Sequence, residues 1–448
     1  MKTPELHHSS GRRVDMPLKV GVLGAGAVGA YVGGLIALRT KSDVVMVGRR
    51  RFVDQVSAGG VTLRPDPRRP RDVHSIRAMH VTVDDDPKAL AGCDIVLVAV
   101  KSTATADAAA QLERIAERGG FPPHALVLSL QNGVGNGSIL VRALEKHGVA
   151  TLPCMVNFNV VWDSYASDDV RDGCKIRRCT PAKPGMPCVG IHNLPERAEA
   201  DGTGLVDHPS VFAAKKANLA AFVEALRETG LAVSLERDIL PVQYGKLLIN
   251  LQSPVNAISG APVPTTLSRR RFRMAWRALV LEALDVFRAC GIKPARPYVP
   301  FLPFVLALPD WAYNAAAFAL FPLDPGCKSS MLQDCETGRA TEIDALCGEI
   351  VRLARRNANR ARDEDAGAGG EGGDDARGIG RGIGRALAAL GFGFGGFGFG
   401  FGFGRGSSRR GRTAPLNARA IELVRRLERV GLPDGRMGPD ELWEALTR

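Results

Sequence analysis

Residues 18–38, LKVGVLGAGAVGAYVGGLIAL, decide the fold. An apolar run of β type leads into a G-x-G-x-x-G match, and small apolar residues typical of a helix follow. The match consists of Gly24, Ala25, Gly26, Ala27, Val28 and Gly29. Glycines in this pattern permit a tight turn and let backbone N–H groups approach a pyrophosphate at a helix N-terminus. The context therefore predicts a dinucleotide-binding strand–loop–helix unit rather than an ordinary glycine-rich turn.

Outward from this unit, β-type and helical segments alternate along the chain. β-rich runs recur at Val44–Val47, Ile95–Val100 and Ala125–Ser129. Helical patterns cover Thr103–Arg118 and Ser138–His147. Such alternation is typical of a parallel sheet with right-handed crossovers. After about residue 237 apolar residues recur at helical spacing. We predict an α/β Rossmann-type N-terminal domain followed by an all-α C-terminal domain.

The predicted organisation has three parts. Residues 1–16 form a flexible tail, 17–237 an NADP-binding domain with an enlarged loop at 163–207, and 238–448 a helical substrate and catalytic domain. A low-complexity insertion interrupts the helical domain at about 360–412, and 19 of the 45 residues in 367–411 are glycine. Because such a segment cannot offset its ordering entropy by burial, we predict that it is disordered. We favour an inert insertion over a mobile neighbour of the cleft.

Composition narrows the function classes less than the motifs do. The 448 residues are 45% hydrophobic and 24% charged, as in an ordinary globular protein with ample material for a core. Lys plus Arg exceed Asp plus Glu by 59 − 47 = 12. This excess would suit an acidic ligand, a nucleic acid or simple solubility, and does not choose among them.

Nine cysteines occur without a C-x-x-C pair, which favours a reducing compartment and excludes zinc-finger spacing. Cys174, Cys179 and Cys188 lack a fourth ligand at regular spacing, so we predict no metal. The first sixteen residues hold no apolar core of signal-peptide length, and no later stretch approaches the ~20 apolar residues of a membrane span. We predict a cytoplasmic protein with no membrane partner.

Arg49 bears on which dinucleotide is bound. In an NAD site an acidic residue near the end of the second strand holds the ribose 2′-hydroxyl. Here the strand continues into Gly48 and then three arginines, 49–51. A guanidinium can pair with a 2′-phosphate, so we predict NADP(H) with Arg49 as its partner. The alternative is that these arginines only solvate a loop, which would leave dinucleotide binding intact but remove the NADP preference.

Two further polar residues follow predicted strands. Lys101 ends IVLVAVK, and Asn132 lies in SLQNGVGN. The carboxyl ends of parallel strands face the ligand crevice, so both side chains are candidates for cofactor or substrate contact. Asn-Gly is also an ordinary turn, and for Asn132 alone that alternative stays open.

Carbonyl reduction also needs a proton donor for the developing alkoxide. No histidine lies in a convincing motif. The helical half instead offers Lys246 and Asn250, four residues apart on one helix face, with Asn256 further along. Glu342 is a candidate carboxylate to position the lysine and tune its pKa. Taken alone, a lysine and a glutamate on two helices are more often solvated surface charges.

Several separated motifs occur together in one order: LGAGAVGAYVGG, VLVAVKS, SLQNGVGN, NFNVVW, YGKLLIN, SSMLQD, TEID and PDELWEAL. In these motifs the chain resembles the ketopantoate reductase family, the NADPH-dependent 2-dehydropantoate 2-reductases of pantothenate synthesis. The resemblance covers residues 18–446 apart from 163–207 and the insertion. It implies that a 2-keto acid is the partner, and a homodimer is left open.

The resemblance also implies roles for individual residues. The 24–29 loop, Lys101 and Asn132 would contact NADPH, with Asn132 also near the substrate. Lys246 would be the general acid, and Glu342 its partner beside the nicotinamide. Asn250 and Ser330 would bind the substrate. The reaction would reduce the C2 carbonyl of 2-dehydropantoate to (R)-pantoate.

Two positions depart from the family pattern. Many members have a second amide where this chain has Pro254, so Asn256 is the nearest substitute in substrate binding. Cys347-Gly348 replaces an Asn-Gly pair after TEID. One alternative is therefore a reductase of another 2-keto acid. Another is an RNA- or protein-interaction chain that uses the Arg/Gly/Phe segment, which the scattered basic residues disfavour.

Overall fold

The computed structural model describes ten stretches of the chain, with gaps between them. They are residues 17–64, 74–76, 81–164, 174–178, 188–191, 209–231, 233–295, 302–320, 325–367 and 413–448. The predicted tail, most of segment 163–207 and the predicted disordered stretch after Gly367 lie outside the described residues. Within the described part, no helix combines the length and apolar character needed to cross a bilayer.

The first half contains twelve strands and five α-helices among its described residues. The strands are β1 Lys19–Leu23, β2 Asp43–Val47, β3 Val61–Arg64, β4 His74–Ile76, β5 Thr82–Asp84, β6 Ile95–Val98, β7 Leu126–Ser129, β8 Ala150–Met155, β9 Val160–Ser164, β10 Cys174–Arg178, β11 Cys188–Gly190 and β12 Ser234–Glu236. The helices are α1 Ala27–Arg39, α2 Arg50–Gly59, α3 Thr105–Glu117, α4 Asn136–Leu144 and α5 Pro209–Glu228.

Eight strands form one sheet in the order β12-β11-β8-β7-β6-β1-β2-β5. Every pairing is parallel except that between β8 and β11. The central strands β1, β6 and β7 are almost continuously buried, as expected for a sheet covered on both faces. One apolar cluster packs α1 and α5 against the sheet, and another packs α3 and α4 against it. The prediction of an α/β Rossmann-type domain is confirmed.

The enlarged-loop prediction for 163–207 was incomplete. β10 joins a small second sheet of order β4-β3-β10-β9, and β11 joins the main sheet. Cys174 and Ile176 are buried while Lys175 is exposed, which is the alternation of a half-buried strand. Two apolar residues among three charged ones gave too short a signal to predict it. Because β10 and β11 belong to different sheets, Cys174 and Cys188 have separate surroundings.

The second half is helical in the described residues. Its helices are α6 Leu240–Asn250, α7 Gln252–Ser259, α8 Val263–Ser268, α9 Arg270–Ala289, α10 Leu302–Ala307, α11 Asp310–Leu320, α12 Ser330–Glu336, α13 Ile343–Gly367, α14 Pro415–Val430, α15 Leu432–Gly435 and α16 Pro439–Thr447. One apolar cluster unites most of them. The all-α prediction is confirmed, but α13 continues to Gly367, beyond residue 360 where we placed the start of the insertion.

The helix that follows the insertion is anchored in this core. The Glu282 carboxylate of α9 accepts hydrogen bonds from the backbone N–H groups of Leu416 and Asn417 at 2.9 and 2.8 Å. A carboxylate at a helix N-terminus satisfies donors that the helix itself leaves unpaired. Val424 on the same helix is fully buried. The chain thus resumes its packed fold immediately after the insertion.

Candidate active site

The glycine loop between β1 and α1 has the three properties that the motif requires. Gly24 has φ +96°, and a Cβ there would lie 2.6 Å from the Val100 backbone nitrogen. A Cβ on Gly29 would lie 2.3 Å from the Gly24 carbonyl oxygen, so this glycine permits close helix–strand packing. A Cβ on Gly26 would meet nothing within 4 Å. The open space at Gly26, at the start of α1, is where a pyrophosphate could approach the backbone.

Four adjacent strands of the sheet end in candidate residues. Gly24 follows β1, Arg49 follows β2, Lys101 follows β6 and Asn132 follows β7. Because these strands are parallel neighbours, their carboxyl ends line a single edge. Ligands of open α/β sheets bind at this edge.

Arg49 lies beside the glycine loop and is exposed. A Cβ on the preceding Gly48 would lie 3.1 Å from the Cβ of Ala25, which shows how closely the two loops approach. Arg50 forms ion pairs with Asp54 and Asp85. Arg49 has no ion-pair partner among the described residues, so its guanidinium is available to an anion.

The turn after β6 is contacted by two carboxylates from the helical half. The Lys101 ammonium forms an ion pair with Asp334 of α12. The Ser102 backbone N–H donates a hydrogen bond of 2.8 Å to Glu342, which directly precedes α13. Burial, reinforced by the neighbouring Glu342 and opposed by Lys101, raises the pKa of Asp334 to about 6.

Helix α6 supplies the other side of the crevice. Asn250 donates a long hydrogen bond, 3.5 Å, from Nδ2 to Oδ1 of Asn132. Lys246 lies one turn earlier and therefore on the same face of α6. The contact places the lysine close to the edge where the four strands end.

Lys246 is partly buried and has no charged or hydrogen-bonding partner among the described residues. Burial disfavours its charged form and lowers its pKa to about 8. A lysine with such a pKa is a competent proton donor near neutral pH, because it is mostly protonated yet gives up its proton more readily than a solvated lysine.

A buried polar network supports the two loops that carry Lys101 and Asn132. Gln131 donates hydrogen bonds to the Val100 carbonyl at 3.1 Å and to the Thr105 hydroxyl at 2.7 Å. Thr105 donates to Asn136 at 2.8 Å, and Asn136 donates to the Asn132 carbonyl at 2.6 Å. This chain of hydrogen bonds fixes the spacing between the two loops.

Family comparisons agree with this architecture. A family model described as "Ketopantoate reductase PanE/ApbA" matches residues 20–166, and its C-terminal counterpart matches residues 238–361. The 2-dehydropantoate 2-reductase of Pyrococcus horikoshii is 30% identical over 343 residues, covering 75% of this chain and 91% of that protein. The chain belongs to the ketopantoate reductase family. The enzyme of Mesorhizobium japonicum is 26% identical over 350 residues, covering 75% and 92%.

Solved structures of the ketopantoate reductase fold are also similar to the chain. The PanE/ApbA family ketopantoate reductase of Ralstonia eutropha aligns with TM-score 0.51 and 25% identity, covering 75% of this chain and 91% of the other. A ternary structure of D-mandelate dehydrogenase with NADH and anilino(oxo)acetate aligns with TM-score 0.54 and 18% identity, covering 76% and 92%. The second likeness concerns the fold alone. As a member of this reductase family, the protein is an oxidoreductase.

Glu342 does not pair with Lys246, the partner that the family resemblance implies for it. Glu342 was expected to pair with Lys246, but its carboxylate accepts from the Ser102 N–H and forms no ion pair with Lys246. The carboxylate is thus engaged at the turn after β6 instead. In this structure burial, without a neighbouring charge, is the cause of the lowered pKa of Lys246.

Asn256 does not lie at the surface of the crevice. It is fully buried in α7, donates to the Ala261 carbonyl at 2.7 Å, and accepts from the Ser329 N–H at 3.0 Å. These bonds occupy its amide within the protein, so the structure does not support the prediction that Asn256 contacts the substrate. Its observed role is to fix Ser329, the N-cap of α12, while the adjacent Ser330 remains exposed.

Sequence reasoning missed Asp334, Gln131 and Asn136. Each lies inside or next to a quoted motif, SSMLQD or SLQNGVGN, but none was given a role. The available signal was a polar residue among apolar neighbours in a short element. Such a residue is buried only when it has a partner, and several of the partners here are remote in sequence.

Proposed function

We propose that the chain reduces 2-dehydropantoate to (R)-pantoate with NADPH as the hydride donor. The proposal depends chiefly on Lys246, a partly buried lysine without a described partner, placed beside the Asn250–Asn132 contact. An α-keto acid needs hydrogen-bond donors for its carbonyl and carboxylate and an acid for the nascent alkoxide.

The residues present fit a dinucleotide at the strand edge. The free space above Gly26 accommodates a pyrophosphate, and Arg49 is available for a 2′-phosphate. When bound, NADPH supplies the hydride that reduces the C2 carbonyl. Lys101, by the family resemblance, contacts the same cofactor.

On the protein side, Lys246 donates a proton to the oxygen at C2 as negative charge develops there. The amides of Asn132 and Asn250 orient the keto acid, and exposed Ser330 is the candidate for its carboxylate. The unpaired positive charge of Lys246 also favours an anionic substrate in the crevice. No described carboxylate neutralises this ammonium, so its full positive charge can attract the anionic substrate before the proton is transferred.

A second candidate is the reduction of another 2-keto acid. Pro254 is buried in α7 at a position where many family members carry an amide, and it offers no side-chain hydrogen bond. A substrate with fewer polar groups than 2-dehydropantoate would tolerate this loss better.

The test is the substrate-dependent oxidation of NADPH, followed by its absorbance. Parallel reactions contain 2-dehydropantoate, smaller 2-keto acids, or NADH in place of NADPH. The highest kcat/KM with 2-dehydropantoate and NADPH supports the proposal. A higher kcat/KM with another keto acid would assign that acid as the substrate, and a preference for NADH would contradict the cofactor assignment.

A further inference from the structure

The ion pair between Lys101 and Asp334 joins two parts of the chain that are 233 residues apart. Lys101 lies at the strand edge, where its side chain is 36% exposed, whereas that of Asp334 is only 5% exposed. Next to this pair, Glu342 accepts the hydrogen bond from Ser102. Two consecutive residues of the cofactor-side turn are therefore held by two carboxylates of the helical half.

Asp334 depends on Lys101 for compensation of its charge. Its Oδ2 is buried and has no hydrogen-bond partner among the described residues. Its backbone carbonyl accepts a hydrogen bond of 2.8 Å from the Arg339 N–H at the end of α12. This bond holds the backbone of Asp334 in place. A buried carboxylate with one open oxygen is costly unless a cation stays beside it.

We propose that Asp334 is a positioning residue that holds the Lys101 ammonium in place for NADPH. The inference rests on the proposed function, in which Lys101 contacts the cofactor. A free lysine side chain loses rotamer freedom when it binds a ligand, and an ion pair formed beforehand removes part of that cost. Asp334 itself lies behind Lys101 and acts through it.

The position of Asp334 also predicts a pH dependence of cofactor affinity. The charged groups that act on it are Lys101 from the turn after β6, Glu342 before α13 and Arg339 after α12. Burial raises the pKa of Asp334 to about 6, so the ion pair is present above that pH and is lost as the pH falls through it. The Kd for NADPH should therefore rise between about pH 7 and pH 5.

A double-mutant cycle on NADPH affinity tests the inference. Kd is measured by the fluorescence of bound NADPH for the wild type, Asp334→Asn, Lys101→Met and the double variant. We expect Asp334→Asn to raise Kd roughly tenfold at neutral pH, the scale of one charge-assisted hydrogen bond. In the Lys101→Met background the same change should alter Kd less than about twofold. Asp344→Asn is the matched control, because Asp344 forms an exposed ion pair with Arg425.

Two results would overturn the inference. One is an unchanged Kd in Asp334→Asn, and the other is an effect of equal size with and without Lys101. If Asp334→Asn does not fold, the rise of the Kd for NADPH between about pH 7 and pH 5 is compared in the wild type and Lys101→Met. Titration of the NADPH phosphate affects both proteins alike. An equal rise of Kd in both would therefore show that Asp334 does not cause the pH dependence.

The proposed function can fail separately from this inference. A wild type that binds NADPH but reduces no 2-dehydropantoate refutes the substrate while the cycle still decides on Asp334. A wild type that binds no dinucleotide refutes both.

Discussion

At the scale of single residues, Lys246 is the group that most directly tests the proposed chemistry. Replacement by alanine removes the proton donor that we propose for α6. We expect Lys246→Ala to lower kcat by roughly 10² or more, the usual scale for a positioned general acid. NADPH affinity should stay within about twofold, because the assigned cofactor contacts lie at the strand edge.

The control for this variant is its Kd for NADPH, measured on the same preparation. A normal kcat would remove Lys246 from the catalytic role. A large loss of NADPH affinity would instead make it a cofactor-binding residue.

The lowered pKa of Lys246 gives a second prediction. A general acid must be protonated, and burial brings the pKa of this lysine down to about 8. With NADPH at saturation, kcat/KM for the keto acid should therefore be level below that pH and should fall roughly tenfold per pH unit above it. The pH profile of kcat/KM is measured from about pH 6 to pH 10. A profile that stays level to the upper end would mean that Lys246 keeps the pKa of a solvated lysine or does not donate the proton.

Arg49 decides between the two dinucleotides. If it pairs with the 2′-phosphate, Arg49→Ala should weaken NADPH binding roughly tenfold or more and leave NADH nearly unaffected. Arg50→Ala is the matched control, because Arg50 already pairs with Asp54. The measurement is Kd for both cofactors with all three proteins. Equal losses for NADPH and NADH would return Arg49 to the role of a loop arginine.

At the scale of elements, two glycines of the loop have different roles: Gly29 permits close packing, and Gly26 leaves room for the ligand. A methyl group on Gly26 meets open space, whereas one on Gly29 would lie 2.3 Å from a backbone carbonyl. We expect Gly26→Ala to retain the wild-type Tm but to bind NADPH at least about tenfold more weakly, since the added atoms enter the pyrophosphate path. Gly29→Ala should lose stability on the scale of overpacking, about 1–3 kcal/mol.

Thermal unfolding and NADPH titration of the two variants check this assignment. A Gly26→Ala protein with normal affinity would show that no ligand approaches the loop there. A Gly29→Ala protein with normal Tm would contradict the packing seen between α1 and β1.

The elements themselves were predictable where the local signal was long. The strand–loop–helix unit at 18–38 and the helical pattern over 274–290 are each specified by neighbouring residues, and the structure has them as β1–α1 and α9. Strand β10 was missed because its buried positions are few and one of its two partners, β3, lies about a hundred residues earlier. Pairing between remote short strands leaves little trace in either strand's own sequence.

The candidate site was predictable in its parts but not in its pairings. Motif context selected Lys101, Asn132, Lys246 and Asn250, and the structure brings Asn250 into contact with Asn132, with Lys246 one turn earlier on the same helix. The motifs could not show that Lys101 pairs with Asp334, or that Asn256 accepts a hydrogen bond from Ser329 inside the protein. Those contacts depend on how two helices pack, which single-residue patterns do not encode.

At the scale of the whole molecule, residues 368–412 are the feature that sets this chain apart from a minimal two-part reductase. The core on both sides of them is continuous. Helix α14 packs with α13 and α9 through Leu423, Val424 and Leu427, and Glu282 caps its start. These contacts join described residues on the two sides of 368–412 within one helical core.

We therefore expect that replacing 368–412 by a short Gly/Ser linker leaves kcat, KM and Tm nearly unchanged. A linker of this kind is flexible and spans the junction at a small entropic cost, because the closure entropy of a loop grows only slowly with its length. The same pair of proteins tests the nucleic-acid alternative by filter retention of single-stranded RNA in moderate salt. Equal and negligible retention would exclude that alternative. Retention by the full chain alone would assign the Arg/Gly/Phe segment an RNA-binding role, and a loss of activity on deletion would show that the segment contributes to the reductase itself.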